Sequence, residues 1–292
     1  MKIKFVSLIF IAVCVFFSSA PDLLLAQTPY NLEANLVKIL NAGYGSNYIS
    51  GYLQSFVTVF GEGMGGGLYH RGYVKQFPHF ELGISAVYLR VPAKARVFRF
   101  ESIDQPTFFG ALQPGFSGIP GSGITEFYLT QIQLNLGLTS NAELLLKGSN
   151  QTINEVGDIR LLGIGIKYGL TDIIPISFLA LNVSVQAVYQ TMKVEAWLNS
   201  ATFGMNIHAS SQMIFLPVQL YGGIGYEITA LKIDTNKLDG VGPNGIGEIS
   251  MEGENDIRMN LGLSYSLFIL NLHLDYNLGT YNSITGGVML NF

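Results

Sequence analysis

The chain ends with the stretch Ser283-Ile-Thr-Gly-Gly-Val-Met-Leu-Asn-Phe292, in which two kinds of residue alternate. One parity carries isoleucine, glycine, valine, leucine and phenylalanine, and the other carries serine, threonine, glycine, methionine and asparagine. Side chains of a β-strand point alternately to its two faces, so this stretch predicts an amphipathic strand. If successive strands alternate in direction, the direction of every preceding strand can be counted back from this last one.

The composition predicts a membrane barrel. Only 12% of the 292 residues are charged, against about 25% in soluble proteins, and the mean hydropathy is +0.35. Past residue 27 the sequence has no apolar run of about 18 residues that could span a bilayer as a helix. The 34 glycines and 15 tyrosines favour a barrel over a large soluble core, because lumens use small residues and membrane interfaces use aromatic ones. A final amphipathic strand that ends in phenylalanine also resembles the closing strand of bacterial outer-membrane β-barrels.

Residues 1–26 read as a signal peptide. Lys2 and Lys4 precede an apolar stretch of suitable length, and Ala26 offers a cleavage point. We therefore predict the outer membrane of a Gram-negative cell as the location, after removal of the peptide near Ala26. The only cysteine, Cys14, lies inside the peptide, and the bulky Val13 before it argues against lipidation. The mature chain would then have no disulfide and no cysteine–zinc site.

Residues 27–66 have helical rather than strand periodicity. Leu32, Leu36 and Ile39 share one helical face, and a second run contains Tyr48, Tyr52, Phe56 and Phe60 in the same way. Glycines separate and end the two runs. Two short amphipathic helices are predicted here. They could plug the lumen of a barrel, or they could form a periplasmic cap that covers apolar surface.

Residues 67–292 predict an all-β fold, a transmembrane antiparallel barrel of about 12 strands, with 10–14 as the range. An even number of strands brings both termini of the chain to the periplasmic side. The weakest assignments are 67–76 and 95–102. The predicted strands lie near 67–76, 80–91, 95–102, 124–138, 142–149, 156–170, 176–190, 196–210, 214–231, 251–266, 269–279 and 283–292.

Aromatic residues on the apolar parity of these strands fall into two girdles. Two such girdles are expected at the two interfaces of a bilayer. The outer girdle is predicted to hold Phe80, Tyr128, Tyr189, Trp197, Tyr226 and Tyr276, and the inner one Tyr88, Tyr168, Tyr265 and Phe292.

The inward parity contains charged residues, which need water or partners inside a barrel. They could line a polar pore or binding site, or they could form a structural network that fills the lumen. The candidate lumen residues are Glu81, Lys167, Glu227, Arg258, His273 and Asp275.

The connection 103–123 is too apolar for a solvated loop. It carries Phe108, Phe109, Leu112 and Phe116 among prolines and glycines. It could fold into the barrel mouth as a lid, pack on a partner, or line a site for an apolar ligand.

Catalysis is not expected. A serine hydrolase needs serine, histidine and an orienting acid within hydrogen-bond reach. His273, Asp275 and Ser264 share the inward parity of neighbouring strands, but the sequence has no G-x-S-x-G stretch. The histidines show no metal-ligand spacing. We therefore predict that the protein is not an enzyme and has no metal or cofactor, and its net charge of −4 argues against a nucleic-acid partner.

Several stretches together resemble an uncharacterised family of outer-membrane β-barrels, a domain of unknown function from double-membraned bacteria. The architecture is also distantly similar to long-chain fatty-acid outer-membrane transporters. The resemblance implies a barrel and no established activity or site residues. It rests on Phe60-Gly-Glu-Gly-Met-Gly-Gly-Gly67, Phe80-Glu-Leu-Gly-Ile-Ser85, Pro106-Thr-Phe-Phe-Gly110, Gly118-Ile-Pro-Gly121, Gly163-Ile-Gly-Ile-Lys167 and the final strand.

The helical segment and the apolar loop lead to a prediction of function. We expect an outer-membrane barrel that acts as a passive conduit or binding protein for a small apolar solute. The alternative is a structural barrel that anchors a partner without transport. The expected partners are outer-membrane lipid and that solute, and the sequence identifies no protein partner.

Overall fold

The computed structural model describes residues 30–171, 181–213, 215–241 and 245–292. The predicted signal peptide lies outside these residues. The described part begins with two helices, α1 (Leu32–Asn41) and α2 (Ser46–Gly65). No helix in this part of the chain is long and apolar enough to cross a membrane.

The described residues form thirteen strands. Ten of them close into an antiparallel barrel in the order β1-β4-β5-β6-β7-β8-β9-β11-β12-β13, with β13 paired back to β1. The predicted antiparallel barrel is thereby confirmed, with ten strands in its wall. The strands are β1 (Phe80–Arg90), β2 (Val97–Phe100), β3 (Ile103–Pro106), β4 (Glu126–Gly137), β5 (Ala142–Ile153), β6 (Gly157–Gly169), β7 (Leu181–Val194), β8 (Leu198–Gln212), β9 (Val218–Asp234), β10 (Glu248–Glu252), β11 (Ile257–Leu267), β12 (Leu270–Leu278) and β13 (Ser283–Asn291).

Two segments predicted as wall strands lie elsewhere. Residues 67–76 are not a strand, and the backbone around Gly72 bonds to side chains of the wall rather than to a neighbouring strand. Residues 95–102 contribute only the four-residue β2, which pairs with β3 in a separate hairpin. This hairpin stays at the rim because Phe98 and Phe100 pack edge-on against Tyr48 of α2.

The loss of the wall strand predicted at 95–102 reverses the predicted direction of β1, and the other predicted directions are unchanged. Phe80 stacks on Phe292 at a ring distance of 4.9 Å, and Tyr88 pairs with Tyr128 at the other end of the barrel. The placement of Phe80 in the outer girdle and of Tyr88 in the inner one was therefore wrong. We call the two ends the Phe292 rim and the opposite rim.

The wall alternates as a membrane barrel requires. On β6, Leu162, Ile164 and Ile166 point outward and are more than half exposed, while Lys167 of the same strand points inward and is buried. The same outward row continues on β11 with Leu261 and Leu263. In a closed barrel each strand has a hydrogen-bonded neighbour on both sides, so no unpaired strand edge is exposed. An apolar exterior of this kind can therefore face lipid.

Candidate functional site: the occupied lumen

Helix α2 runs from the opposite rim into the barrel. Twenty residues at a rise of about 1.5 Å each make it about 30 Å long, and apolar residues on all its faces predict full burial. Tyr48, Tyr52, Phe56 and Phe60 are at most 1% exposed. At the rim, α1 bonds to the loops of this end, since the Leu32 backbone N–H donates to the Glu155 carbonyl at 3.0 Å.

The apolar loop covers the first half of α2. The Phe108 backbone N–H donates to the Tyr52 carbonyl at 2.8 Å, and its ring lies 5.0 Å from that of Phe56. Phe109 packs against Phe108 and is also buried. Leu112 and Phe116, in contrast, are 42% and 83% exposed. The structure brings two of the four predicted loop residues together as a lid on α2, and a ligand at this loop remains a prediction.

The C-terminal end of α2 lies halfway down the lumen, where side chains of the wall bind its carbonyl groups. The last carbonyls of a helix have no partner within the helix. Lys147 donates to the carbonyls of Met64 at 3.0 Å and Gly66 at 2.6 Å. Gln131, on β4, donates to the Gly63 carbonyl at 2.9 Å. A cation at this end also suits the helix dipole.

An ion cluster beside this end joins α2 to β9 and β11. Arg258 lies 2.7 Å from Glu227 and 3.3 Å from Glu62, which is the acidic residue of α2. Asn255 donates to Glu227 at 3.3 Å. All four side chains are buried. A Cβ atom at Gly65 would meet the ends of the Arg258 and Glu227 side chains, so a larger residue there would have to displace this ion pair.

Below the helix, the chain continues through the lumen in an extended conformation. Tyr69 stacks on His208 at 3.8 Å and donates to Asn260 at 2.6 Å. Leu68 packs against Leu145 and Val188. These contacts reach different sides of the barrel, so the segment fills the lumen rather than lining one wall.

A second ion cluster fixes this extended part near the Phe292 rim. Arg71 is 2% exposed; it is bonded to Glu81 of β1 and lies 2.7 Å from Glu143 of β5. Lys167 of β6 donates to the Arg71 carbonyl at 2.8 Å. Lys75 lies 3.4 Å from Glu81. Charge-assisted hydrogen bonds of this kind hold geometry more strongly than neutral ones.

Glycine lets the chain pass close to the inner face of β7 and β8. The Gly72 backbone N–H donates to the Ser210 hydroxyl at 2.7 Å, and its carbonyl accepts from Ser184. A Cβ atom at Gly72 would lie 2.6 Å from the Ser210 backbone nitrogen. Residues 46–79 therefore run from one rim to the other, and we call them the threading segment.

All six predicted lumen residues point inward and are buried. Glu81 and Lys167 meet around Arg71, and Glu227 pairs with Arg258, as described above. The His273 ring stacks on His70 at 5.1 Å. Asp275 accepts from the Tyr221 hydroxyl at 2.7 Å and from Asn277 at 2.8 Å. The six residues therefore do not form one site. They make separate contacts with the threading segment and with other residues of the wall.

Five charged residues that contact the threading segment or belong to it were missed. Arg71 and Lys75 lay in a segment predicted to be a wall strand, and Glu62 is an isolated charge in an apolar helix. Glu143 and Lys147 could have been found, because they share the inward parity of β5 while Leu146 between them is exposed.

Little space remains beside the threading segment at the level of the first ion cluster. A cavity of about 20 Å³ lies between Tyr69, Gly204, Gly225 and Arg258. That volume holds about one water molecule. The arrangement can retain the threading segment, and among the described residues this cavity is too small for a solute to pass.

A protein-family profile matches residues 1–292, the full length of the chain. The chain belongs to this family, described as a family of unknown function (DUF6588). The resemblance to an uncharacterised barrel family is confirmed. No curated protein matches the chain.

Solved structures with a similar fold are outer-membrane proteins. The loop-deletion mutant of OmpT from Vibrio cholerae is 12% identical, and the match covers 56% of this chain and 54% of that one with a TM-score of 0.28. The translocator domain of NalP from Neisseria meningitidis is 9% identical, covering 83% and 99% of the two chains with a TM-score of 0.40. LpxR from Salmonella typhimurium is 8% identical, covering 73% and 99% with a TM-score of 0.36. This chain thus spans about half the length of the OmpT chains it matches, and these similarities assign it no activity or ligand.

The prediction that the protein is not an enzyme is wrong as a conclusion from sequence. Fold does not determine function, and catalytic residues can be placed on a barrel without a recognisable sequence motif. The inward-facing histidine and acid and the missing G-x-S-x-G stretch therefore do not exclude catalysis.

Proposed function

We propose that the protein is an integral outer-membrane barrel that is closed in its resting state and anchors a rim cap. The rim cap consists of α1, the first half of α2, the β2–β3 hairpin and the loop 107–125. The observation that carries this proposal is the threading segment, which fills the lumen and is bonded to the wall at several levels. This corresponds to the structural or partner-anchoring alternative derived from the sequence.

The chemistry of the lumen argues against steady passage of an apolar solute. Such a solute would have to displace Arg71 from Glu81 and Glu143, or Arg258 from Glu227. Separating a buried ion pair leaves uncompensated charges and costs several kcal/mol, about 3–5 by the usual estimate. An apolar molecule forms no hydrogen bonds that could offset this cost. A conduit would therefore require a movement of the threading segment.

A disulfide lock tests the proposal. A Cβ atom at Gly63 of α2 would lie 3.8 Å from the Leu129 Cβ atom of β4, which is the usual Cβ separation of a disulfide. The variant Gly63→Cys/Leu129→Cys can therefore tie α2 to the wall when oxidised, and its reduced form is the matched control.

The measurements are conductance in planar bilayers and uptake of a fluorescent fatty acid or a small sugar by proteoliposomes. The proposal predicts no steady conductance or uptake for the wild-type protein, with no difference between the oxidised and reduced variants. Uptake by the wild-type protein and the reduced variant that stops on oxidation would contradict it, and would support the conduit instead.

A further inference from the structure

A groove of about 650 Å³ lies at the opposite rim. Its walls are the end of β1, the 3₁₀ turn Ala93–Arg96, and the turn between β12 and β13 at residues 279–282. The volume is in the range of small-molecule sites. The threading segment touches one wall of the groove, where the Tyr281 backbone N–H donates to the Glu62 carboxylate at 3.4 Å.

One wall of the groove faces the membrane. Tyr88 of β1 and Tyr276 of β12 both pair with Ile284 of β13, so these three residues form a continuous outward row. Tyr128 extends the row on β4, with its ring 5.0 Å from that of Tyr88. Tyrosines on the outer face of a barrel end lie at the level of lipid headgroups. The groove therefore opens where the headgroups of one leaflet lie.

The same groove concentrates positive charge. Arg90 and Arg96 line it, and Lys94 between them is exposed. The segment 90–96 thus holds three of the 16 basic residues of the chain and no acidic one. Arg96 donates to the Val91 carbonyl at 2.8 Å, which fixes its guanidinium at the wall.

Acidic residues near the groove have other contacts. Glu126 lies across from Arg90 in the β1–β4 register, and its carboxylate accepts from the Tyr128 hydroxyl at 3.4 Å. Asp104 pairs with Arg99 on the β2–β3 hairpin. Glu62 and Glu254 lie near Tyr281, and Glu62 pairs with Arg258 at 3.3 Å. Arg90 and Arg96 are the charged residues that line the groove, so its lining is positive in a chain whose overall charge is −4.

We propose that this groove binds the phosphorylated headgroup of a membrane lipid in the leaflet at the opposite rim. Arg90 and Arg96 would contact the phosphate, because a guanidinium presents paired donors that match phosphate oxygens. Tyr88 and Tyr276 would pack against the apolar part that follows the headgroup. The lipid-facing wall favours a lipid over a soluble phosphate. This inference goes beyond the proposed function and does not depend on whether the barrel is closed.

The test measures retention of phosphatidylglycerol and phosphatidylcholine on the full-length protein by native mass spectrometry from detergent. The decisive variant is Arg90→Gln/Arg96→Gln. Its control is Arg99→Gln/Lys38→Gln, which makes the same charge change on exposed residues away from the groove. Because Arg96 also supports its turn, Arg90→Gln alone is the second variant, and circular dichroism checks that each variant forms the barrel.

We expect the wild-type protein and the control to retain phosphatidylglycerol at least five-fold better than phosphatidylcholine. The double variant should lose about ten-fold of that retention and Arg90→Gln several-fold. Equal retention by the double variant and the control would overturn the proposal. Displacement of the lipid by an equal concentration of glycerol phosphate or inorganic phosphate would overturn the lipid assignment in favour of a soluble anion.

Discussion

Removal of Arg71 should destabilise the barrel more than removal of any exposed cation. The Arg71→Met substitution keeps much of the side-chain volume and removes the charge. It leaves Glu81 and Glu143 buried, at 0% and 4% exposure, without the guanidinium that both now contact. The loss of one member of a buried ion pair typically costs about 3–5 kcal/mol, because the remaining charge is desolvated without compensation.

Part of this cost can be removed by a second change. The triple variant Arg71→Met/Glu81→Gln/Glu143→Gln removes the two buried carboxylates together with the guanidinium, so part of the lost stability should return. The return is partial because Lys75 and the buried Lys167 lose their neighbouring carboxylates. Arg99→Met is the control, since Arg99 and Asp104 are 75% and 70% exposed and pair at 3.6 Å. Exposed pairs contribute little, and we expect a change within about 1 kcal/mol.

The assay is reversible unfolding by urea or guanidinium of protein folded into lipid vesicles. The chain has one tryptophan, Trp197, which is buried between β7 and β8 and reports unfolding by its fluorescence. Lower stability of Arg71→Met by about 3 kcal/mol or more, with recovery in the triple variant, supports the central role of this cluster. A cost no larger than that of Arg99→Met would refute it.

Further substitutions test other contacts in the same unfolding assay. Gly72→Ala should lower the free energy of unfolding by about 1–3 kcal/mol, because the new Cβ atom would meet the Ser210 backbone, which can shift only with β8. Lys147→Met should lower it by about 1.5–3 kcal/mol through loss of charged hydrogen bonds to the end of α2. Phe108→Ala should cost about 3–5 kcal/mol as a buried aromatic, and Phe116→Ala, which is 83% exposed, less than about 0.5 kcal/mol. Equal effects of the two phenylalanine substitutions would contradict the role of the loop as a lid.

The barrel could be predicted from sequence because the pattern that identifies each strand lies within that strand. Alternation with period two is readable within each strand, and the strong alternation of β12 and β13 gave both their faces and their directions. The helical period of α2 is equally local. The inward position of Glu227 and Arg258 follows from parity alone.

The path of the threading segment could not be predicted in this way. Residues 67–76 have the length of a strand, and nothing in their pattern shows that their backbone bonds to side chains such as Ser210 and Lys167. These partners are more than 90 residues away in the sequence. The separate error at residues 95–102 reversed β1, because these residues do not form a wall strand between β1 and β4, and it placed Phe80 and Tyr88 at the wrong rims.

Cysteine labelling of α1 tests the central claim that the chain threads the barrel. Ala34 is exposed on α1, Asn282 is exposed in a turn at the opposite rim, and Ser140 is exposed in a turn at the Phe292 rim. Each is replaced by cysteine in a Cys14→Ser background and treated with a membrane-impermeant maleimide, in intact cells and after permeabilisation. Threading predicts that Ala34→Cys is labelled from the same side as Asn282→Cys and from the side opposite to Ser140→Cys. Labelling of Ala34→Cys from the same side as Ser140→Cys would contradict it, because α1 would then lie at the rim where β1 begins.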